Sequence, residues 1–258
     1  LNPVQIYNAL LQFEGVRVEN INSMTLYYLE GILNLLHNEF ISDNEKSAKI
    51  AGVEWLFRNI LDWSNMRCTQ KLMKKSPIMY AKLAEIIYLK EGENKENKDE
   101  EQHKGVNAVF DIFNKAKFCP TENGGKVEYK NLKKWVDDFK ELLVEQHQTK
   151  LFGHLIGRLL AYSPIGADNC MPCEAVRELI EGIYDDSLKS AYIISESNKR
   201  GVYTPNAGKT EMEMSRKYKY NADKIRDKSP FTAMIYDSLS DSYKSQANFE
   251  RKSAEDEW

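Results

Sequence analysis

Apolar residues return at every third or fourth position through almost the whole chain, and this period constrains the fold more than any other feature. Val4, Tyr7, Leu10 and Leu11 form one such run, Leu26, Leu29, Leu33, Leu36 and Phe40 a second, and Ile50, Val53, Phe57, Ile60 and Leu61 a third. A helical turn of 3.6 residues puts side chains so spaced on one face, whereas a half-buried strand needs strict alternation, which is hard to find here. Start signals agree with the period. Ser23 and Asp43 are N-cap types, and Ser76-Pro77 and Ser229-Pro230 set a cap candidate before proline at the first helical position. The pattern predicts helices at about 2–13, 24–40, 44–62, 65–75, 77–90, 103–118, 129–149, 151–162, 172–184, 187–198, 209–227 and 230–252. Only 7 prolines and 13 glycines in 258 residues favour such long helices over many short strands. The expected fold is all-α, an irregular helical bundle or an α-solenoid-like stack of helical hairpins. The openings KSPIMYAKLAEIIY and KSPFTAMIYDSLSDSY echo each other, but no strict repeat period is present.

A chain of this length has room for one large domain or two small ones. Glu91 to Lys104, reading EGENKENKDEEQHK, offers almost no apolar surface to offset the entropy of ordering. It is expected to be a mobile acidic linker, 91–104, between a first helical unit, 1–90, and a second, 105–258. The 4 cysteines are too few at this length for a secreted disulfide framework. No N-terminal signal pattern is present, and no apolar run reaches the roughly 18 residues needed to span a bilayer, so the expected location is the cytoplasm, with no membrane partner. A net charge of −3 puts any electrostatic argument at the local level. The start at Leu1 rather than methionine suggests a piece of something longer.

Cys170-Met171-Pro172-Cys173 is the motif with most chemical potential, since two thiolates three residues apart can share a metal or form a redox disulfide. A structural zinc site needs further ligands. Cys68 and Cys119 are isolated, and His37, His103, His147 and His154 show no metal spacing among themselves. The expectation is therefore no bound metal and no cofactor, with Pro172 opening a helix; Cys170 and Cys173 are the weak metal candidates, and a thiol or metal enzyme centred on them is a third-ranked reading. Ala207-Gly208-Lys209-Thr210 resembles the end of a phosphate-binding loop, but the glycine required four residues earlier is missing. Asp137-Asp138 does not converge on one point, because neighbours on a helix diverge by about 100°. Asp185-Asp186 reads as a helix cap. No catalytic residue is nominated, and the chain itself is expected not to be an enzyme.

The stretch 199–228 holds nine Lys or Arg against four Asp or Glu, in a chain that is otherwise acidic. Lys217, Tyr220, Lys224 and Lys228 fall near one face of its helix, opposite Met212, Tyr218, Ala222 and Ile225. The loop before it carries Arg200, Gly201 and Tyr203. Loops on rigid scaffolds commonly carry recognition, and arginine and tyrosine are enriched at interface hot spots. Arg200, Gly201, Tyr203, Lys217, Tyr220, Lys224 and Lys228 are therefore the expected binding surface. Its competing reading is a solvated face paired with acidic residues of the last helix, such as Asp237, Asp241 and Glu250.

Three strings together resemble the C-terminal helical region of large bacterial proteins, some of which look like antiviral-defence NTPases of the STAND kind. They are AGVEWLFRNILDWSNMRCTQKLMKKSPIMYAKLAEIIY at 51–88, IGRLLAYSPIGADNCMPCEAVRELIE at 156–181 and RGVYTPNAGKTEMEMSRKYKYNADKIRDKSP at 200–230. The resemblance implies a sensor or scaffold segment, with enzymatic domains upstream in a longer protein. It implies a protein partner, either a foreign protein or the parent's own upstream domains, and assigns no role to any residue. Nucleic-acid binding through 199–228 is the second reading.

Overall fold

The computed structural model describes residues 2–11, 22–88, 90, 100–201 and 206–256, with the side chains of 10, 11, 100–106, 255 and 256 left aside. The described residues form an all-α fold of twelve α-helices, two 3-10 turns and one isolated bridge between Asn123 and Lys126. Each helix answers to one of the segments expected from the apolar period. The first six are α1 (Pro3–Leu11), α2 (Ser23–Phe40), α3 (Asn44–Leu56), α4 (Arg67–Lys75), α5 (Ile78–Ile87) and α6 (Glu100–Lys115). The last six are α7 (Tyr129–Glu145), α8 (Phe152–Leu160), α9 (Glu174–Ile183), α10 (Asp186–Asn198), α11 (Lys209–Ile225) and α12 (Pro230–Asp256).

The chain divides into two compact units after Ala116, not within the acidic stretch. Of that stretch, 91–99 lies outside the described residues, and 100–104 opens α6. Helix α6 belongs to the first unit because Phe113 stacks on Tyr80 of α5 at 5.3 Å and meets the edge of Tyr88 at 5.8 Å. Elsewhere in this unit α2 buries Leu29, Leu33, Leu36 and Phe40 along one stripe, and Tyr7 of α1 packs against Phe40 at 5.5 Å. Helix α3 adds Ile50, Ala51 and Val53. Asp43 caps α3 as its position suggests, accepting from the amides of Glu45 and Lys46 at 3.0 Å each. The α2 cap is Asn22 rather than Ser23, and its carboxamide oxygen accepts from Thr25 N at 2.8 Å. Ser76 ends α4 instead of starting α5, whose first turn has no side-chain cap.

In the second unit α7 buries Leu132, Trp135, Val136, Phe139 and Leu143. Helices α8 and α10 cross closely at Gly157, where a β-carbon would lie 2.5 Å from the Leu188 carbonyl oxygen and 3.1 Å from Ala191 Cβ. Helices α11 and α12 form an antiparallel hairpin, pinned at its middle by the Ser215 and Ser240 hydroxyls, 3.0 Å apart. Its core is a tyrosine cluster. Tyr218 stacks on Tyr243 and meets Tyr236 edge-on, at 5.6 Å in both cases, and Tyr236 shares a 3.3 Å hydroxyl contact with Tyr192 of α10. Burial pushes the Tyr192, Tyr218 and Tyr236 phenols far above their ordinary range, so all three stay neutral. Ser229 stands just before Pro230, the first residue of α12, and its carbonyl accepts from Ala233 N at 2.9 Å, while the amides of Phe231 and Thr232 donate to the Glu181 carboxylate of α9, at 3.0 and 2.9 Å.

Candidate functional site

The structure turns Arg200 inward and engages Lys199, Lys219, Lys224 and Arg226 of the stretch 199–228 with carboxylates or carbonyls of the chain itself. Arg200 is 13% exposed and forms an ion pair with Glu211, whose side chain is fully buried. Burial raises the Glu211 carboxyl, but the guanidinium outweighs it and holds the group below its ordinary value. Arg200 is therefore a structural partner and not the free anchor expected from its place in a loop. Lys199 donates to the Ala161 carbonyl at 2.5 Å and pairs with Glu196 at 2.6 Å. Lys219 and Arg226 join Asp223 and Asp237 in a surface network with contacts of 2.9–3.1 Å. Lys224 is exposed yet donates to the Asp168 carbonyl at 2.8 Å. Lys217, Lys228 and Tyr220 point to solvent, with Tyr220 66% exposed, and Gly201 is exposed at a φ of 68°. Tyr203 lies outside the described residues.

Gly208 explains the imperfect phosphate-loop motif. It precedes α11 at a φ of 76°, a backbone conformation that glycine adopts without strain, and its amide donates to the Glu250 carboxylate of α12 at 3.0 Å. The amide that such a loop would turn to a phosphate is thus taken by a carboxylate of the chain itself.

Cys170 and Cys173 are free and buried. The helix after them begins at Glu174, with Cys173 rather than a residue before Pro172 at the N-cap position. Ser163 Oγ accepts from the Cys173 amide at 3.0 Å and lies 3.3 Å from its sulfur. Nearby, Glu174 accepts from Ala167 N and Asp168 N, and Arg177 pairs with Asp168 at 2.5 Å. These contacts close a loop onto a helix start.

Two features of the first unit lie outside the expected binding surface, and the second brings together His37 and Cys68, which the sequence spacing leaves isolated. The first is the outward side of α2. Met24, Tyr27, Tyr28 and Leu35 are 60, 69, 61 and 51% exposed, and a β-carbon added to Gly31 between them would meet no neighbour within 4 Å. Spacings of three and four residues set these side chains along one seam of the helix. Only Glu30 and Glu39 are charged on this helix, and Glu30 is turned toward Asn65, from which it accepts at 2.8 Å. Helix α2 is thus apolar on two opposite sides, one buried and one in solvent.

The second feature is buried. His37 of α2, Glu54 of α3 and Cys68 at the start of α4 are 0, 0 and 1% exposed. His37 Nε2 lies 2.6 Å from Glu54 Oε1, and the Glu54 carboxylate accepts from Cys68 N at 3.0 Å and Thr69 N at 2.7 Å. Glu54 caps α4 from another helix, where the amides and helix dipole favour negative charge. Burial, and then the Glu54 carboxylate, push the Cys68 thiol up to about 12. Separations of 17 and 14 residues, across three helices, give no local motif for this cluster.

Among the described residues no helix is long and apolar enough to cross a membrane. Comparison of the chain with protein-family models, with curated proteins and with solved structures returns no match.

Proposed function

We propose that this chain is a protein-interaction module, acting as a sensor or scaffold, and that it docks a protein partner on the outward side of α2. The observation that carries this reading is the uncharged seam of Met24, Tyr27, Tyr28 and Leu35, each more than half exposed on one helix. Aromatic residues and methionine are enriched at the centres of interfaces, and a contiguous apolar patch is costly to leave in water. A seam with this spacing fits the apolar face of a partner helix, with Gly31 allowing close approach of the backbones. The setting in a larger cytoplasmic bacterial protein, in phage defence, rests on the resemblance carried by 51–88, 156–181 and 200–230. The partner is then a foreign protein or a neighbouring domain of the parent.

Nucleic-acid binding through 199–228 is the weaker reading. Lys199, Arg200, Lys219, Lys224 and Arg226 are engaged with carboxylates or carbonyls of the chain itself. Lys209, Arg216, Lys217 and Lys228 are what remains for a phosphate backbone, a short and scattered set. A photo-crosslinking residue placed at Tyr28, and separately at Lys217, tests the two in cells producing the protein. Protein adducts should form from position 28 and be lost in a Met24→Ser, Tyr27→Ser, Leu35→Ser background of unchanged melting temperature. Adducts from position 217 alone, or adducts to nucleic acid there, overturn the assignment.

A further inference from the structure

We propose that His37, Glu54 and Cys68 form a buried three-ligand site for one borderline-soft divalent cation of the Zn2+ class. Among the described residues this is the group whose potential ligand atoms, an imidazole nitrogen, a carboxylate oxygen and a thiol sulfur, all lie within 4.8 Å of one another. Nitrogen, oxygen and sulfur donors in one site are the set that zinc accepts, whereas calcium and magnesium take oxygen alone. Each ligand comes from a different helix, so the ion would join α2, α3 and α4.

Charge and burial support the same ion. Glu54 is a carboxylate of zero exposure, and a buried charge needs a compensating one. A doubly charged cation with one carboxylate, one thiolate and a neutral imidazole makes a site of zero net charge. The amides of Cys68 and Thr69 already hold both carboxylate oxygens, the kind of outer contact that fixes a ligand's orientation. His37 Nδ1 is buried without a hydrogen-bond partner, so no second contact ties the ring to its present pairing with Glu54. The direct 2.6 Å contact between His37 and Glu54 must open to admit the ion, because bonds of about 2.0 Å in tetrahedral geometry set two ligand atoms about 3.3 Å apart. Binding expels one proton, that of the Cys68 thiol, to solvent. With Nε2 on the ion, a neutral imidazole carries its proton on Nδ1. Three protein ligands leave a fourth position for water or another small ligand.

The test is metal stoichiometry on the purified full chain, dialysed against Zn2+ or Co2+ and then against metal-free buffer. One equivalent should be retained, and the Co2+ form should show thiolate-to-metal charge-transfer absorption in the near ultraviolet. Cys68→Ser, nearly isosteric, should abolish that band and weaken Zn2+ binding by more than about tenfold. The double variant Cys170→Ser, Cys173→Ser should leave both readouts unchanged. A wild-type chain that retains no zinc above the buffer blank overturns the proposal without any variant. So does a cobalt band that survives Cys68→Ser or disappears in the Cys170, Cys173 variant.

Discussion

Single side chains in this protein take their roles from partners that are distant in sequence. Arg200 sits in a loop, yet its guanidinium compensates the buried carboxylate of Glu211. Removing one partner of a buried pair leaves the other charge without compensation, so Arg200→Ala is expected to lower stability by about 3 kcal/mol or more in chemical denaturation. Because the Glu211 carboxyl is depressed in the folded state, its contribution is present above its unfolded pKa of about 4.3 and is lost as pH falls through the folded value. The stability gap between the wild type and Arg200→Ala should therefore narrow below about pH 4, as read by melts across pH. The four cysteines are all buried, and the Cys68 thiol is pushed up to about 12 by burial and by Glu54. The thiolate is the reactive form, so a thiol reagent at neutral pH should leave the native metal-free chain essentially unmodified and titrate every cysteine after denaturation.

At the scale of helices, the same substitution has opposite consequences in the two units. Gly157→Ala on α8 drives a methyl group to 2.5 Å from the Leu188 carbonyl oxygen, and a backbone atom cannot swing aside. The expected loss is about 1–3 kcal/mol by thermal or urea unfolding. Gly31→Ala on α2 meets nothing within 4 Å and lies inside a helix, where alanine is favoured over glycine by about 0.8–1 kcal/mol. It should raise the melting temperature. Helix starts show a related pattern. Asp43 and Asp185 cap their own helices, whereas α4 and α12 take their caps from Glu54 on α3 and Glu181 on α9. Replacing Glu181 by alanine strands the amides of Phe231 and Thr232 and should cost about 1–2 kcal/mol, measured by urea unfolding.

At the scale of the whole chain the two units each carry a core of their own. A fragment covering 117–258 should therefore show a helical circular dichroism spectrum and a cooperative melt, since the α8–α10 crossing and the α11–α12 hairpin close within it. A broad, non-cooperative melt would show that this unit depends on the first. The boundary at Ala116 follows from aromatic packing of α6 on α5, which the acidic composition of 91–104 does not report.

The number and placement of the helices were open to the sequence because a 3.6-residue apolar period is a local property, and so were the caps at Asp43 and Asp185, which act within three residues. Composition also pointed to a concentration of charge in 199–228. Packing settled what much of that charge does, since Glu211 meets Arg200 across a loop and Asp237 of α12 meets Lys219 and Arg226 from another helix. Likewise, the apolar period picks out Leu29, Leu33, Leu36 and Phe40, the stripe that α2 buries, but gives no notice of its second apolar side, where the tertiary contacts leave Tyr27, Tyr28 and Leu35 in water. The meeting of His37, Glu54 and Cys68 has no local signature at all. It exists because three helices cross at one point, and the order of residues along a chain does not specify where separate helices touch.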